Sequence, residues 1–311
     1  MKNILDMKNL LYIIIFASLL LTSCSEDELG ESLIDTSTPE LNEVDEWIRE
    51  NYTYPYNVEV KYKWDNSELD NTKILTPTEL ERVIPFLDKM KGIWVDPYVN
   101  NGGPDFMKTF IPKQIVLVGS HNYNDNGSIV LGQAEGGRKI TIFDLNYIDF
   151  DLEGLSNWEI ASKMKVILTV FKTMHHEFGH ILHQTVAYPV AYKKITTGYT
   201  SNWMNFYDSQ AQRMGFITAY SMLNPDEDFV EMLSEFLTRS NEDWNKIIDR
   251  IKVYDDRWNE IPAESEAVRA KIRTKEKMIA DYMLQIWKID IYDLQAEISD
   301  VLANLAAAEE E

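Results

Sequence analysis

Residues 173–184 read TMHHEFGHILHQ and hold four of the five histidines in the chain. Within this stretch, His176, Glu177 and His180 form an H-E-x-x-H pattern. On a helix, residues four apart lie on one face, about 6 Å apart along the axis, so the two imidazoles can converge on one metal ion. Glu177 lies at the edge of that face and can reach a water molecule without occupying the metal. The stretch predicts a helical zinc site with a built-in general base.

The residues before this motif favour a long helix. Residues 157–171 contain neither Gly nor Pro, and apolar side chains recur at three- and four-residue steps. Ser156 or Asn157 can cap the start of the helix, and Pro189 limits its end. Gly179 costs about 1 kcal/mol inside a helix. We therefore expect that something packs closely against Gly179, or that a substrate approaches there.

A catalytic zinc site needs a third protein ligand and an open position. His183 is one candidate for this ligand, because it lies three residues after His180. It also lies seven residues after His176, which is about 10.5 Å along a straight helix. His183 can therefore bind the same ion only if the helix breaks after His180. Otherwise, we expect it to lie beside the site.

The stronger candidate lies in the segment 224–237, where a capping asparagine followed by a proline predicts the start of a helix. Glu227 and Glu231 are four residues apart and share one face of that helix. Glu227 can ligate zinc directly, and Glu231 can accept a hydrogen bond from a ligating histidine and fix its tautomer. We interpret Asp226 and Asp228 as solvated acidic residues that the helix dipole favours.

These two segments together resemble the gluzincin class of zinc metallopeptidases. In that class a glutamate after the motif completes the site, and an acidic residue four positions later supports it. Glu227 and Glu231 match these positions. TMHHEFGHILHQ and MGFITAYSMLNPDEDFVEMLSEFL (residues 214–237) resemble one family in particular. It comprises zinc-binding metallopeptidase lipoproteins of Bacteroidetes, which are associated with substrate import through SusC/SusD-type outer-membrane systems.

The resemblance implies an α+β, zincin-like fold, Zn²⁺ as the cofactor and a peptide or protein as the substrate. It implies an N-terminal mixed sheet with helices, a central motif helix and a helical C-terminal part. A SusC/SusD-type transporter is the implied partner. The predicted function is zinc-dependent hydrolysis of peptide bonds. The alternative is a lipoprotein that binds peptide or glycopeptide on the same scaffold without catalysis.

Tyr220, seven residues before Glu227, is a further candidate for a catalytic role. Related zincins place a tyrosine at a comparable position, which implies that the Tyr220 hydroxyl stabilises the oxyanion that forms during peptide hydrolysis. Tyr199 and Tyr207 are the alternatives. Because the chain has 16 tyrosines, Tyr220 can also be an ordinary core residue.

The first 23 residues read as a lipoprotein signal peptide. Basic residues precede an apolar run over 10–21, which ends in the lipobox-like sequence LTSC at 21–24. We expect cleavage before Cys24, lipid on its sulfur and an acidic flexible tether over 24–39. Cys24 is the only cysteine, so the fold has no disulfide. The predicted location is the outer membrane, at the cell surface or, alternatively, facing the periplasm.

The composition restricts the partners of the chain. Its net charge of −21 disfavours binding to nucleic acid and to anionic headgroups, so we expect membrane contact through the lipid alone. Residues 40–311 are enough for one metallopeptidase domain, which we divide into an N-terminal subdomain (about 40–188) and a helical C-terminal subdomain (189–311).

Hydrophobic periodicity and turn residues predict the helices and strands in the rest of the chain. We predict helices over 39–51, 76–90, 264–287 and 292–308, and strands over 57–64, 113–119, 127–131 and 138–143. In zincins the strand that borders the active-site cleft pairs with extended substrate. The resemblance implies that this strand is either 127–131 or 138–143, and the sequence leaves this choice open. His121 reads as a surface histidine.

Overall fold

The computed structural model describes residues 40–124, 127, 129–135 and 137–307. The predicted signal peptide, Cys24 and the tether lie outside these residues. From Asn42 onwards the chain forms one compact unit. The predicted division into subdomains near residue 188 stays a prediction. Within the described ranges, no helix combines the length and apolarity needed to cross a membrane.

A small mixed sheet lies in the N-terminal half. The strands are β1 (Glu59–Lys61), β2 (Gln114–Leu117), β3 (Asn122–Tyr123), β4 (Ile129–Val130), β5 (Gly132–Glu135) and β6 (Lys139–Ile142). Four of them form the sheet in the order β1-β2-β6-β5, and β3 and β4 pair with each other in a separate two-stranded sheet. The β1–β2 and β2–β6 pairs are parallel, and β5 runs antiparallel to β6. Consequently β5 is an edge strand of the sheet.

Helices surround this sheet and make up the C-terminal half. They are α1 (Glu43–Ile48), α2 (Tyr54–Tyr56), α3 (Leu80–Met90), α4 (Asp96–Gly102), α5 (Pro104–Phe110), α6 (Asn157–Thr185), α7 (Asp208–Gln212), α8 (Pro225–Leu237), α9 (Asn241–Asp249), α10 (Pro262–Tyr282) and α11 (Ile291–Ala307). The π-helical segments Arg49–Thr53, Lys91–Val95 and Met283–Trp287 continue α1, α3 and α10. The result is a mixed α+β fold rich in helix.

Helix α6 carries the motif and begins where the sequence predicts. Ser156 and Glu159 form a capping box, in which the Ser156 N–H donates to Glu159 Oε2 at 2.9 Å. The helix then runs for 29 residues without a break, and the motif lies in its last third. Its apolar face, which includes Ile167 and Phe171, is buried in the main core. The motif is therefore held on a rigid, well-anchored element.

One predicted helix start is wrong, and one of the two predicted cleft strands lies elsewhere. The helix predicted over 76–90 starts at Leu80, because the Thr76 carbonyl accepts from Gly119 N–H at 3.0 Å and Pro77 forms a β-bridge with Val118. The two predicted cleft strands differ in outcome: β6 lies inside the sheet, whereas β4 pairs with β3 and lines a cavity beside α6. The edge strand that packs against α6 is β5, which the sequence did not predict.

The interpretation of Asp228 as a solvated residue is also wrong. Asp228 is fully buried, and its Oδ2 lies 2.6 Å from Nζ of Lys275, which is fully buried in α10. The Tyr199 hydroxyl donates to the same carboxylate oxygen at 3.0 Å. A buried charge needs such a partner, and here the partner comes from 47 residues further along the chain. The pair ties α8 to α10.

Candidate metal centre

Three of the predicted ligands converge between α6 and α8. The ligand atoms of His176, His180 and Glu227 all lie within 4.8 Å of one another. Glu227 Oε2 is 3.1 Å from His176 Nε2 and 3.4 Å from His180 Nε2. Tetrahedral zinc with ligands at 2.0–2.1 Å separates neighbouring ligand atoms by about 3.3 Å. Two imidazoles and one carboxylate at this spacing therefore fit zinc, with one coordination position left open.

The start of α8 aims Glu227 at this point. Asn224 Oδ1 caps the helix by accepting from the N–H groups of Asp226 at 2.8 Å and Glu227 at 3.0 Å. The predicted start of this helix is confirmed. Gly179 lets α8 approach α6, because a Cβ at Gly179 would lie only 3.0 Å from Cγ1 of Val230. Close packing thus explains the glycine inside the motif.

Glu231 lies behind His176, on the side away from Glu227. His176 Nδ1 donates to Glu231 Oε1 at 2.9 Å, which turns its Nε2 toward Glu227. Oε2 of Glu231 accepts from the Thr218 hydroxyl at 2.7 Å and from Lys172 Nζ at 3.2 Å. Burial raises the pKa of Glu231, but Lys172 and the hydrogen bond from His176 outweigh it and lower that pKa to about 2. Glu231 is therefore an ionised acceptor.

His183 does not join the cluster of ligand atoms. Because α6 continues unbroken to Thr185, His183 stays one turn past His180 and contacts it from behind. The distance from His180 Nδ1 to His183 Nε2 is 2.9 Å. Burial lowers the pKa of His183, so its neutral ring can accept this hydrogen bond. His183 then fixes the tautomer of His180 as Glu231 fixes that of His176.

Glu177 faces the cleft between α6 and the edge strand. Burial raises the pKa of its carboxyl, whereas His176, His180 and the backbone N–H of Ala134 in β5 lower it; the net shift is upward. A carboxylate with a raised pKa is suited to take up and release a proton near neutral pH.

Tyr220 lies on the other side of the same cleft, in the 3₁₀ turn Tyr220–Met222. Its ring centroid is 5.8 Å from that of His176, and Trp203 packs edge-on against it at 4.9 Å. Burial and the nearby Glu227 carboxylate raise the pKa of Tyr220, so its hydroxyl stays protonated and can donate. Of the two alternatives, Tyr199 donates to Asp228 and Tyr207 is 79% exposed.

Several residues around this centre were missed by the sequence analysis. Lys172 precedes His176 by one turn, and its ammonium lies 3.2 Å from Glu231 and 2.9 Å from Glu235. The four-residue spacing between Lys172 and His176 places both on one face of α6 and could have indicated this role. The acidic partners of Lys172 lie on α8, however, and the sequence alone does not show that contact. Strand β5 was missed because Gly-Gln-Ala-Glu lacks the β-branched and aromatic residues that indicate strands. Gly132 is required there, since a Cβ would lie 2.7 Å from Cγ2 of Thr173 in α6.

The remaining histidines are engaged elsewhere. His175 is fully buried beside Tyr98, whose hydroxyl lies 3.4 Å from its Nδ1. Burial lowers the pKa of His175 to about 3, so this ring is neutral. His121 lies with its Nδ1 2.5 Å from Asp144 Oδ1, and its ring stacks on Tyr147 at 4.7 Å. Its side chain is only 30% exposed, so it is more enclosed than a surface histidine.

Two histidines and a glutamate thus converge within an α+β fold. This arrangement is typical of the class of proteins that bind a metal such as zinc. Residues 37–292 match the sequence profile of a family described as "Putative zinc-binding metallo-peptidase". The match covers most of the chain, and the chain therefore belongs to this family.

A solved structure with a description of the same kind is similar to this chain in sequence and fold. It is described as a "putative zinc-binding metallo-peptidase from Bacteroides caccae ATCC 43185", and it is 31% identical to this chain with a TM-score of 0.68. The alignment covers 89% of this chain and 97% of that protein. None of the curated proteins that were compared matches this chain.

Proposed function

We propose that this protein is a zinc-dependent peptidase that hydrolyses peptide bonds. The observation that carries the proposal is the convergence of His176, His180 and Glu227 beside the carboxylate of Glu177. A protein that only binds peptides has no need of a partly buried carboxylate base next to a three-ligand metal site. The family and the Bacteroides caccae structure support the same reaction class.

In the proposed reaction, Nε2 of His176, Nε2 of His180 and the carboxylate of Glu227 hold zinc. When bound, zinc supplies a Lewis acid that polarises the scissile carbonyl and acidifies the attacking water. Glu177 takes one proton from this water and delivers it to the leaving nitrogen. The water oxygen bonds to the carbonyl carbon while the carbonyl π electrons move onto the carbonyl oxygen. When these electrons return, the C–N bond breaks and the amine leaves with the proton from Glu177. Tyr220 donates a hydrogen bond to the carbonyl oxygen as negative charge develops there.

The residues behind the histidines prepare them for this role. Glu231 and His183 accept the Nδ1 protons of His176 and His180, so both rings present a lone pair at Nε2. Partners of this kind commonly change metal affinity by about 10- to 100-fold.

The test combines metal content with cleavage of a peptide library. We expect about one zinc per chain in the purified wild type, loss of zinc in Glu227→Ala, and zinc without cleavage in Glu177→Gln. His183→Ala should retain zinc with weaker affinity. Zinc lost in His183→Ala but not in Glu227→Ala would overturn the ligand assignment. Zinc-loaded wild type that cleaves nothing would leave a peptide- or glycopeptide-binding lipoprotein as the better function.

We also propose that lipid on Cys24 anchors the protein to the outer membrane and that it serves a SusC/SusD-type nutrient importer. The net charge of −21 favours anchoring by lipid over binding to anionic headgroups. Wild type should incorporate labelled palmitate and pellet with outer membranes, whereas Cys24→Ala should not. External protease added to intact cells then distinguishes the cell surface from the periplasmic face. Co-purification with a transporter tests the partner.

A further inference from the structure

Two cavities meet at the candidate metal centre. One has a volume of about 360 Å³ and the other about 400 Å³. Both are lined by His176, Glu177, Tyr220 and the first residue of the edge strand, Gly132. The candidate centre therefore lies in the middle of a cleft, with space for a ligand on both sides.

The first cavity lies toward the N-terminal end of α6 and has an apolar wall. Ile129, Val130 and Leu131 line it from the sheet side, and Trp203 lines it from the opposite side. Ile129 is 49% exposed, so the wall carries apolar surface that an apolar group from a ligand would cover. A volume of this size accommodates a leucine, phenylalanine or tyrosine side chain.

The positive charge of Lys172 at the end of the first cavity is already paired with carboxylates of the protein. Lys172 lines the cavity, but its ammonium contacts the carboxylates of Glu231 and Glu235 at 3.2 and 2.9 Å. A ligand carboxylate entering here would meet two fixed negative charges together with the one positive charge. This arrangement disfavours an acidic side chain and leaves the apolar wall as the main source of binding energy.

The second cavity differs in character. Gln133 of β5 and Gln184 near the end of α6 line it, together with the small residues Ala134 and Gly137. Its lining is more polar than that of the first cavity, although Ile181 of α6 also contributes to it. The edge strand passes both cavities, and its backbone N–H at Ala134 lies within hydrogen-bonding range of Glu177. An extended peptide alongside β5 would thus reach both cavities at once.

We infer that the cleft binds an internal segment of a peptide, with a large apolar side chain in the first cavity. This inference rests on the proposed function and deepens it: the enzyme is an endopeptidase that selects an apolar or aromatic residue on one side of the scissile bond. Thr169, an exposed residue two turns before His176, lines the first cavity, so a larger side chain at this position would reduce the space in it.

The test uses peptides in which one position carries Phe, Leu, Ala or Glu, each made once with both ends blocked by acetylation and amidation and once with both ends free. Cleavage sites are located by mass spectrometry. Equilibrium binding of the same peptides is measured in a Glu177→Gln background, so that binding is scored even if no peptide is cut. Thr169→Trp fills the first cavity. Gln184→Trp is the matched control, because it places the same bulk on the same helix but in the second cavity.

We expect internal cleavage beside Phe or Leu, and a loss of about tenfold or more in kcat/KM and in binding for these peptides in Thr169→Trp. Peptides with Ala should change less than about threefold, and Gln184→Trp should keep the preference for Phe over Ala. Cleavage that requires a free terminus, or equal losses for Phe and Ala in Thr169→Trp, would overturn the inference while leaving the peptidase intact. Selective binding of Phe peptides without any cleavage would support the apolar cavity and refute the proposed function. Cleavage and binding that are both absent would overturn both.

Discussion

The contact between Gly179 and Val230 sets the distance between the two helices that carry the predicted ligands, and Gly179→Ala tests it. Replacing glycine by alanine inside a helix stabilises it by about 1 kcal/mol. Here the new Cβ would lie 3.0 Å from Cγ1 and 3.2 Å from Cβ of Val230. Val230 is fully buried and, as a β-branched residue in a helix, has one strongly preferred rotamer. Since overpacking a core costs about 1–3 kcal/mol, we expect the free energy of unfolding to fall by about 1 kcal/mol.

The added methyl group in Gly179→Ala should also push α6 and α8 apart. This separation should weaken metal binding, because Glu227 and the histidines would move apart. We expect about a tenfold higher Kd for zinc, at the lower end of the range for a disturbed metal environment. Urea denaturation of the metal-free protein and a chelator competition titration measure the two effects. The double variant Gly179→Ala/Val230→Ala should be at least about 1 kcal/mol more stable than the sum of the two single changes in the free energy of unfolding. A Gly179→Ala variant more stable than wild type, with unchanged zinc affinity, would refute the reasoning.

Three further predictions follow from the contacts around the centre. Glu231→Gln should raise the Kd for zinc by about 10- to 100-fold, and an unchanged Kd in the chelator titration would contradict the role of Glu231 behind His176. Burial lowers the pKa of His175 to about 3, below its usual value near 6.5. Its stabilising contribution is therefore complete above about pH 6.5 and declines by up to about 1.4 kcal/mol per pH unit as the pH falls toward 3. His175→Leu should remove this part of the acid sensitivity in unfolding curves at pH 7 and 4.5, and identical pH dependence would speak against it. Lys275→Met should destabilise the fold by about 3–5 kcal/mol, because it leaves the Asp228 carboxylate buried without a positive charge beside it. Adding Asp228→Asn should restore much of that loss, and a double variant as unstable as the single one would argue against the ion pair.

The sequence predicted elements whose signals are local. Ser156 with Glu159, and Asn224 with Pro225, are short-range capping patterns, and both helices begin at those residues. The four-residue spacing of the motif brings His176 and His180 to one face without help from the rest of the fold. The sequence profile shows family membership over residues 37–292, a range that includes both segments that carry the resemblance. The catalytic and ligand roles of the individual residues stay predictions.

Features that depend on distant residues were not predictable in this way. The start of α3 shifted because Thr76 and Pro77 pair with a strand some forty residues later, which no helix propensity can anticipate. Strand β5 is stabilised by its neighbour β6 and not by its own composition. Asp228 has the pattern of an exposed helix start, and only the packing of α10 buries it beside Lys275.

The pairing of a ligand on α6 with one on α8 has a consequence for the whole chain. A chain with one cysteine can form no internal disulfide. An ion held by His176 and Glu227 would cross-link positions 51 residues apart. Because such an ion is released on unfolding, it stabilises the folded state by mass action, by about 2.7 kcal/mol when free zinc is at about 100 times its Kd. Zinc supply would then govern how much of the protein stays folded, as well as how much of it is active.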